Sequence, residues 1–431
     1  MKFDDALLYL DDHASYDKTG RIESPSLDKI ERLLSVLDDP HRSFRVIHVT
    51  GTNGKGSTSQ IITRLLMAHG VKVGTYSSPH LEDVRERIQI DGEMISKEDF
   101  GDAVSAVADA EMLSGVRPSY FEIVTAAAFW VFADQAIDVA VIEVGLLGRW
   151  DATNVVSSDV SVITNIALDH TEFAGPTLEH IAREKAGIIK AGSTAVIGET
   201  RPELVNIFLE EPHDSYVRRG EHFKCVDNQL ALGGRVFYFR TSRSEYDDIF
   251  VPLHGEHQGD NALVALSAVE EFFKAPLVRD TVQEAFDSVV MPGRFEILGY
   301  QPLVIVDGAH NPAGADVCAT VFFRDFDPPG RRILVVGALQ GRDLADSLSA
   351  FRADEFDLVV CTTAPSPRAH QAKDIAEAAK ALGCDDVVVA STVEVACDRA
   401  LNDAGPDDAI LVAGSLYVVG AARPYLKRIL P

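Results

Sequence analysis

The sequence predicts an α/β protein. A mostly parallel sheet comes first, then a small antiparallel β excursion, then a second α/β series. Three observations support this. Val- and Ile-rich runs alternate with helical patterns over most of the chain. A glycine-rich turn joins one such run directly to a helix with an apolar face. The stretch 213–252 is polar and aromatic, and breaks the alternation.

In chain order, the first series has strand candidates at Arg45–Thr50, Val71–Tyr76, Val139–Val144, Val160–Asn165 and Thr194–Gly198, with room for crossover helices between them. Gly233-Gly234 marks a hairpin inside the antiparallel excursion, and a helix is expected from near Gln258. The second series has candidates at Leu303–Val306, Arg332–Val336, Leu358–Thr362, Asp386–Val389 and Ala409–Val412. Met291–Arg294 lies between the two series and is the expected junction, giving domains 1–293 and 294–431.

The 431 residues fit two to three domains of ~150 residues each. A composition 46% hydrophobic and 25% charged is that of a globular protein with ample core material. The formal charge of −26 argues against a nucleic-acid scaffold, although a local basic pocket for a small polyanion is compatible with it. Five scattered cysteines without a C-x-x-C pair read as reduced thiols. The N-terminus is too acidic for a signal peptide, and no stretch approaches the ~20 apolar residues of a membrane span. The expectation is a cytoplasmic monomer with small-molecule substrates and neither nucleic-acid nor membrane partners.

The chemistry begins at Gly51-Thr52-Asn53-Gly54-Lys55-Gly56-Ser57-Thr58, between the strand Arg45–Thr50 and a helix whose apolar face is Ile61, Ile62, Leu65 and Leu66. Glycines let backbone N–H groups approach phosphate oxygens, and a helix N-terminus adds positive potential. Lys55 suits the β and γ phosphates of ATP, and the hydroxyl of Ser57 or Thr58 suits Mg²⁺. The spacing is not that of a Walker loop: Val49 stands where its first glycine belongs, and Gly56 separates Lys55 from Ser57.

GTNGKGST resembles the phosphate loop of the Mur ligase superfamily, in the form carried by folylpolyglutamate and dihydrofolate synthases. Further segments carry the same resemblance in order: Ser77–Leu81 with Glu86-Arg87-Ile88, Glu143–Asn154, Ala167–His170, Glu184–Lys190, His257-Gln258 with Asn261-Ala262, Pro292–Phe295, Asp307–Pro312 and Gly414–Tyr417. The resemblance spans nearly the whole chain. It implies a P-loop ATP-binding domain of the Mur ligase central type, then a Rossmann-like ligase domain. The implied activity is ATP-dependent addition of L-glutamate to folates through an acyl phosphate, and also to dihydropteroate. Two alternatives stay open: a related ligase acting on a cell-wall precursor or another amino acid, and a nucleotide-responsive binding protein.

The resemblance assigns roles to particular residues. Thr52, Asn53, Gly54, Lys55, Gly56 and Ser57 hold ATP, with Asn261 on the adenine side and Arg294 and Asp307 toward the nucleotide. His310 lies at the reaction centre. Ser78, Glu143, His170 and Lys185 are the implied ligands for Mg²⁺, expected as two ions. Glu143 ends an apolar run, where an acid can serve Mg²⁺, whereas a histidine ligand is atypical for that cation. Ser119, Tyr120, Phe121, Glu122 and Ala152 correspond to the folate-binding segments. Tyr120 and Phe121 suit stacking on a flat heterocycle, and equally suit the core of the helix that follows.

Lys185 stands out by spacing as well. Leu178, Ile181, Ala182, Ile188 and Ile189 define one helical face, and Lys185 lies in its middle. A lysine there must snorkel, pair with an acid such as Glu184, or lose its charge. The resemblance implies the last, as a carbamate that becomes an oxygen ligand. The chain departs from the family pattern at Leu147 and Trp150, where Gly and Leu are usual. It also departs at 24–32, which lacks the D-L-G-L-x-R pattern of bifunctional relatives.

Overall fold

A computed structural model describes residues 1–20, 26–341 and 343–430. The chain forms two compact units, one of 1–252 and 256–289, the other of 253–255 and 290–431.

The first unit is built on an eight-stranded sheet. Its strands are β1 (Arg45–Thr50), β2 (Val73–Tyr76), β3 (Ile88–Ile90), β4 (Glu93–Met94), β5 (Val139–Glu143), β6 (Val160–Ile163), β7 (Thr194–Ile197) and β8 (Ser215–Arg218). They lie in the order β4-β3-β2-β5-β1-β6-β7-β8, and all pairs are parallel except β2–β3 and β3–β4. β1 is buried along nearly its whole length, with β5 on one side and β6 on the other, which explains its near-continuous apolar run. From β1 the chain crosses toward β2, and from β5 it crosses back toward β6. The carboxyl ends of these three strands therefore flank a topological switch point, where open α/β sheets place ligands.

One face of the sheet is covered by helices Phe3–Asp11, Asp28–Val36, Lys97–Ser114 and Tyr120–Asp134, around Phe100, Phe129 and Phe132. Helices Leu178–Ala186 and Pro202–Leu209 enclose a second core with Ile163, Ile197 and Phe208. Helix Lys55–Ala68 packs against helices His257–Phe273 and Arg279–Asp287.

The antiparallel excursion is a three-stranded sheet of β9 (Lys224–Ala231), β10 (Gly234–Arg240) and β11 (Glu245–Val251). Leu232 and Gly233 turn the hairpin, Gly233 with φ +78°. The excursion is shorter than its sequence suggests, because Ser215–Arg218 joins the large sheet parallel to β7.

The second unit carries six strands: β12 (Glu296–Tyr300), β13 (Leu303–Val306), β14 (Arg332–Val336), β15 (Leu358–Cys361), β16 (Val387–Val389) and β17 (Ala409–Ala413). Their order is β12-β13-β17-β14-β15-β16, parallel except for the edge strand β12. The five strands expected from sequence are all present, and β12 is added to them. Among the described residues no helix is long and apolar enough to cross a membrane. The described cysteines are free thiols.

Candidate active site

The glycine-rich turn follows β1 and leads into helix Lys55–Ala68, with Gly54 as N-cap at φ +80°. Two of its glycines are fixed by sterics. A Cβ on Gly51 would collide with Thr164 Oγ1, and one on Gly54 would lie 2.3 Å from Asn261 Oδ1. Asn261 thus sits against the phosphate turn itself, its amide donating to Gln258 Oε1 at 3.0 Å.

The segment after β6 clamps the turn. Thr52 N donates to Asn165 O at 2.9 Å, Asn53 N donates to Asn165 Oδ1 at 3.0 Å, and Thr164 Oγ1 donates to Asn53 O at 2.6 Å. Ala167 N donates to Thr52 Oγ1 at 3.0 Å. Thr164 and Asn165 were not singled out from sequence, although two polar residues directly after a Val/Ile strand are the signal. Thr58 Oγ1 is buried in the first turn of the helix and has no hydrogen-bond partner among the described residues.

Two lysines meet at one carbonyl. Lys55 Nζ donates to Gly51 O at 3.1 Å and to Thr52 O at 3.3 Å, and Lys185 Nζ donates to the same Gly51 O at 2.8 Å. Lys185 is only 4% exposed, in line with its place on the apolar face of helix Leu178–Ala186. Burial, and then the neighbouring Lys55 charge, hold its pKa well below the ordinary lysine value, against an opposite pull from Asp169 and Asp151.

Glu143 ends β5 and is buried. Its Oε2 would lie 3.6 Å from a Cβ on Gly56 and accepts Ser78 N at 3.3 Å. Ser78 Oγ, also buried, has no hydrogen-bond partner among the described residues. Ser78, Glu143, Lys55 and Lys185 are therefore gathered at the carboxyl end of the sheet.

His170 follows Val162–Asp169, a run that in sequence suggests a strand ending there, but the structure does not place it at a strand end. β6 stops at Ile163, because the chain there turns to clamp the phosphate loop, and His170 instead precedes the short helix Thr171–Ala174 with φ +50°. Its Nδ1 is 3.2 Å from Tyr16 Oη, and its Nε2 is 3.7 Å from Asp169 Oδ2. Among the described residues no three His, Cys, Asp or Glu side chains form a metal cluster; the set implied here draws on a serine and a lysine as well.

The loop after β5 is held from beneath. Asp151 Oδ2 accepts Leu146 N at 2.8 Å, and its Oδ1 accepts Thr153 N at 3.0 Å and Thr153 Oγ1 at 2.5 Å. His48 Nε2 lies 2.9 Å from the same Thr153 hydroxyl, and burial pushes this histidine down to about 3. Leu147 adopts φ +60°, a left-handed conformation that costs a Leu roughly 1–2 kcal/mol and a Gly little; its carbonyl accepts Thr50 Oγ1 at 2.7 Å. Trp150 is half exposed on this loop, and Ala152 is buried.

Ser119 and Glu122 form a capping box on helix Tyr120–Asp134, with Glu122 Oε2 accepting Ser119 N at 2.7 Å and Ser119 Oγ at 2.8 Å. Phe121 packs on Gly145, at the start of the loop, and 6.1 Å from the Tyr76 ring. Tyr120 lies under the Arg87 guanidinium at 5.5 Å. In the segment 24–32, residues 24 and 25 lie outside the described residues, and helix Asp28–Val36 begins just beyond them.

In the second unit, Asp307 follows β13. Its Oδ2 accepts Phe295 N and its Oδ1 accepts Ala309 N, each at 2.7 Å. Burial raises its pKa; the Arg294 charge, these amides and the Cys318 thiol oppose that shift. Asp307 is not a helix cap, a role that Asn311 takes for helix Pro312–Thr320. His310 Nδ1 is 2.7 Å from Gly308 O.

The Mur ligase middle-domain model matches residues 49–269, and the model of the Mur ligase glutamate ligase domain matches residues 293–416. The dihydrofolate synthase/folylpolyglutamate synthase of Mycobacterium tuberculosis is 38% identical, over 94% of this chain and 90% of its own length. The chain belongs to the dihydrofolate synthase/folylpolyglutamate synthase family. Solved members superimpose over nearly its full length. Escherichia coli FolC, in complex with DHPP and ADP, has a TM-score of 0.88 at 30% identity, covering 99% of this chain and 98% of its own. The Yersinia pestis bifunctional enzyme, complexed with AMPPNP and Mn ion, has a TM-score of 0.85 at 30% identity with the same coverage.

Proposed function

We propose that this chain uses ATP to join L-glutamate to the carboxylate of a folate, and also to dihydropteroate. The observation that carries the reading is the convergence of Lys55 and Lys185 on the phosphate turn beside Glu143, in a chain that matches folylpolyglutamate synthases end to end.

The residues present suit a divalent cation. Ser78 Oγ is a buried oxygen without a hydrogen-bond partner among the described residues, and the Ser78 backbone N–H donates to the Glu143 carboxylate. Oxygen donors of this kind suit Mg²⁺ and Mn²⁺. Ser78, Glu143, His170 and Lys185 would hold the metal, which when bound neutralises phosphate charge.

Lys185 serves this purpose best as a carbamate. Its neutral amine, favoured by burial, adds to the carbon of CO₂ and loses a proton. The group beside Gly51 O would then be an anion next to Lys55, an oxygen donor of the kind a divalent cation takes. Lys55 and the N–H groups opening helix Lys55–Ala68 bind and orient the nucleotide phosphates. The turn is rigid because Thr164, Asn165 and Asn261 fix it, so the γ-phosphoryl group is held for in-line transfer to the substrate carboxylate. The acyl phosphate that results is attacked by the amino group of glutamate, and phosphate leaves. Arg294, Asp307 and His310 are assigned to the second, ligase domain, with Arg294 stabilising phosphate charge. Tyr120, Phe121 and the loop through Ala152 are assigned to the folate, with Ser119 and Glu122 holding that segment in place.

The test is ADP release with dihydropteroate or tetrahydrofolate, with and without L-glutamate. Turnover that requires both the pteridine substrate and glutamate supports the reading. Turnover with a cell-wall precursor instead, or ATP hydrolysis indifferent to both substrates, overturns it.

A further inference from the structure

The short helix Tyr16–Thr19 meets a segment more than 150 residues away. Tyr16 Oη lies 3.2 Å from His170 Nδ1, and the two rings meet edge to face with centroids 6.1 Å apart. Tyr16 also packs on Phe173, one turn further along helix Thr171–Ala174, with centroids 5.7 Å apart at 72°. The phenol is thus seated on both sides of the contact and aimed at one nitrogen of the imidazole. The other nitrogen faces elsewhere: Nε2 is 3.7 Å from Asp169 Oδ2, too far for a hydrogen bond but on the side of a carboxylate.

A neutral imidazole carries one proton and one lone pair, and a hydrogen bond to one nitrogen decides which is which. A histidine that ligates a metal normally passes the proton of its other nitrogen to an oxygen acceptor. Tyr16 Oη is such an oxygen, on Nδ1. We infer that Tyr16 is a positioning residue for His170: its phenol oxygen accepts the Nδ1 proton, and this fixes Nε2 as the nitrogen that offers a lone pair to the cation. The inference rests on the reading of His170 as a metal ligand. It concerns a residue from outside both matched family domains, reached through tertiary contact alone. Nε2 lies on the side of the Asp169 carboxylate, a charge that favours a cation nearby.

The opposite arrangement, with the phenol donating to Nδ1, would leave the proton on Nε2 and block ligation there. The two are distinguishable by experiment. In the full chain labelled with ¹⁵N-histidine, with His170 assigned by comparison with His170→Gln, nitrogen shifts report the tautomer directly. The expected result is a protonated Nδ1 in the wild type and a mixture of tautomers in Tyr16→Phe. Mn²⁺ binding in the presence of AMPPNP, followed by electron paramagnetic resonance, gives the second readout. Tyr16→Phe keeps the ring and both aromatic contacts, so its thermal midpoint should match the wild type while Mn²⁺ affinity falls roughly tenfold. His170→Ala should lose at least as much.

A protonated Nε2 in the wild type overturns the inference. So does unchanged Mn²⁺ affinity in Tyr16→Phe while His170→Ala loses it, a result that leaves the metal-ligand reading intact. Unchanged affinity in His170→Ala removes that reading, and the inference falls with it.

Discussion

Two strand ends, one in each unit, treat their charged groups in opposite ways. After β13, Asp307 is half-buried and complete: two backbone amides and a thiol satisfy its carboxylate, and the charge of Arg294 is nearby. After β1, Lys55 and Lys185 crowd a single carbonyl, and the buried hydroxyls of Thr58 and Ser78 have no hydrogen-bond partner among the described residues. Unsatisfied hydroxyls beside two crowded lysines suit a place where a ligand completes the arrangement. The first-unit strand end is built around something that binds there, whereas the Asp307 turn is stable in itself.

The comparison can be broken most severely at Lys55. Lys55→Ala should lower ligation at saturating ATP by roughly 10³-fold, the scale of removing a phosphate-stabilising cation, with the fold intact by circular dichroism. Near-normal turnover would mean the phosphate-loop assignment is wrong. Glu143→Ala and His170→Ala should each raise the Mg²⁺ concentration needed for half-maximal activity by about 10- to 100-fold, read from a Mg²⁺ titration. Unchanged curves in both variants would remove the proposed metal site.

The Asp307 turn predicts a stability effect. Asp307→Ala leaves the N–H groups of Phe295 and Ala309 without their acceptor, which should cost about 2–3 kcal/mol in denaturant unfolding of the second unit. A cost below about 0.5 kcal/mol would show that the turn does not depend on this carboxylate.

A buried acid elsewhere sharpens the contrast further. Burial raises Glu270, on helix His257–Phe273, to about 7, although Tyr246 Oη and Thr241 Oγ1 donate to its Oε1 and Arg243 is nearby; Glu271 adds to the rise. A carboxyl with a folded pKa above its unfolded value favours the fold while protonated. Stability should therefore fall by about 1–3 kcal/mol between pH 4.5 and pH 7 and stay level above that. Glu270→Gln should flatten this part of the profile in thermal or denaturant unfolding. The smallest effect expected is at Leu147, where replacement by Gly relieves a left-handed backbone and should add up to about 1 kcal/mol of stability.

How far these features are legible in the amino-acid order depends on how local their causes are. β1, β5 and β13 announce themselves as Val/Ile runs because both faces are buried. β3, β4 and β12 are short antiparallel strands at or next to a sheet edge, with mixed polarity, and no comparable run marks them. Lys185 is visible because helical periodicity alone puts it on an apolar face. The place of His170 is not legible in the same way, because the residues after Ile163 look like a continuing strand yet spend their polar groups on the phosphate turn. Tyr16 carries no local signal at all: its partner is 154 residues away, and tertiary structure alone brings them together.

We propose that the buried Lys185 amine beside the phosphate loop becomes a carboxylate-like ligand, an anion where an ordinary lysine would place a cation. The most direct test is the activity of Lys185→Ala titrated with short carboxylic acids, against Lys185→Arg as control. The account predicts an inactive Lys185→Ala that regains part of its glutamate-dependent ADP release as acetate or formate is added. Lys185→Arg should stay inactive throughout, since a guanidinium keeps its charge and forms no carbamate. A fully active Arg variant, or an Ala variant that no carboxylic acid restores, would contradict it.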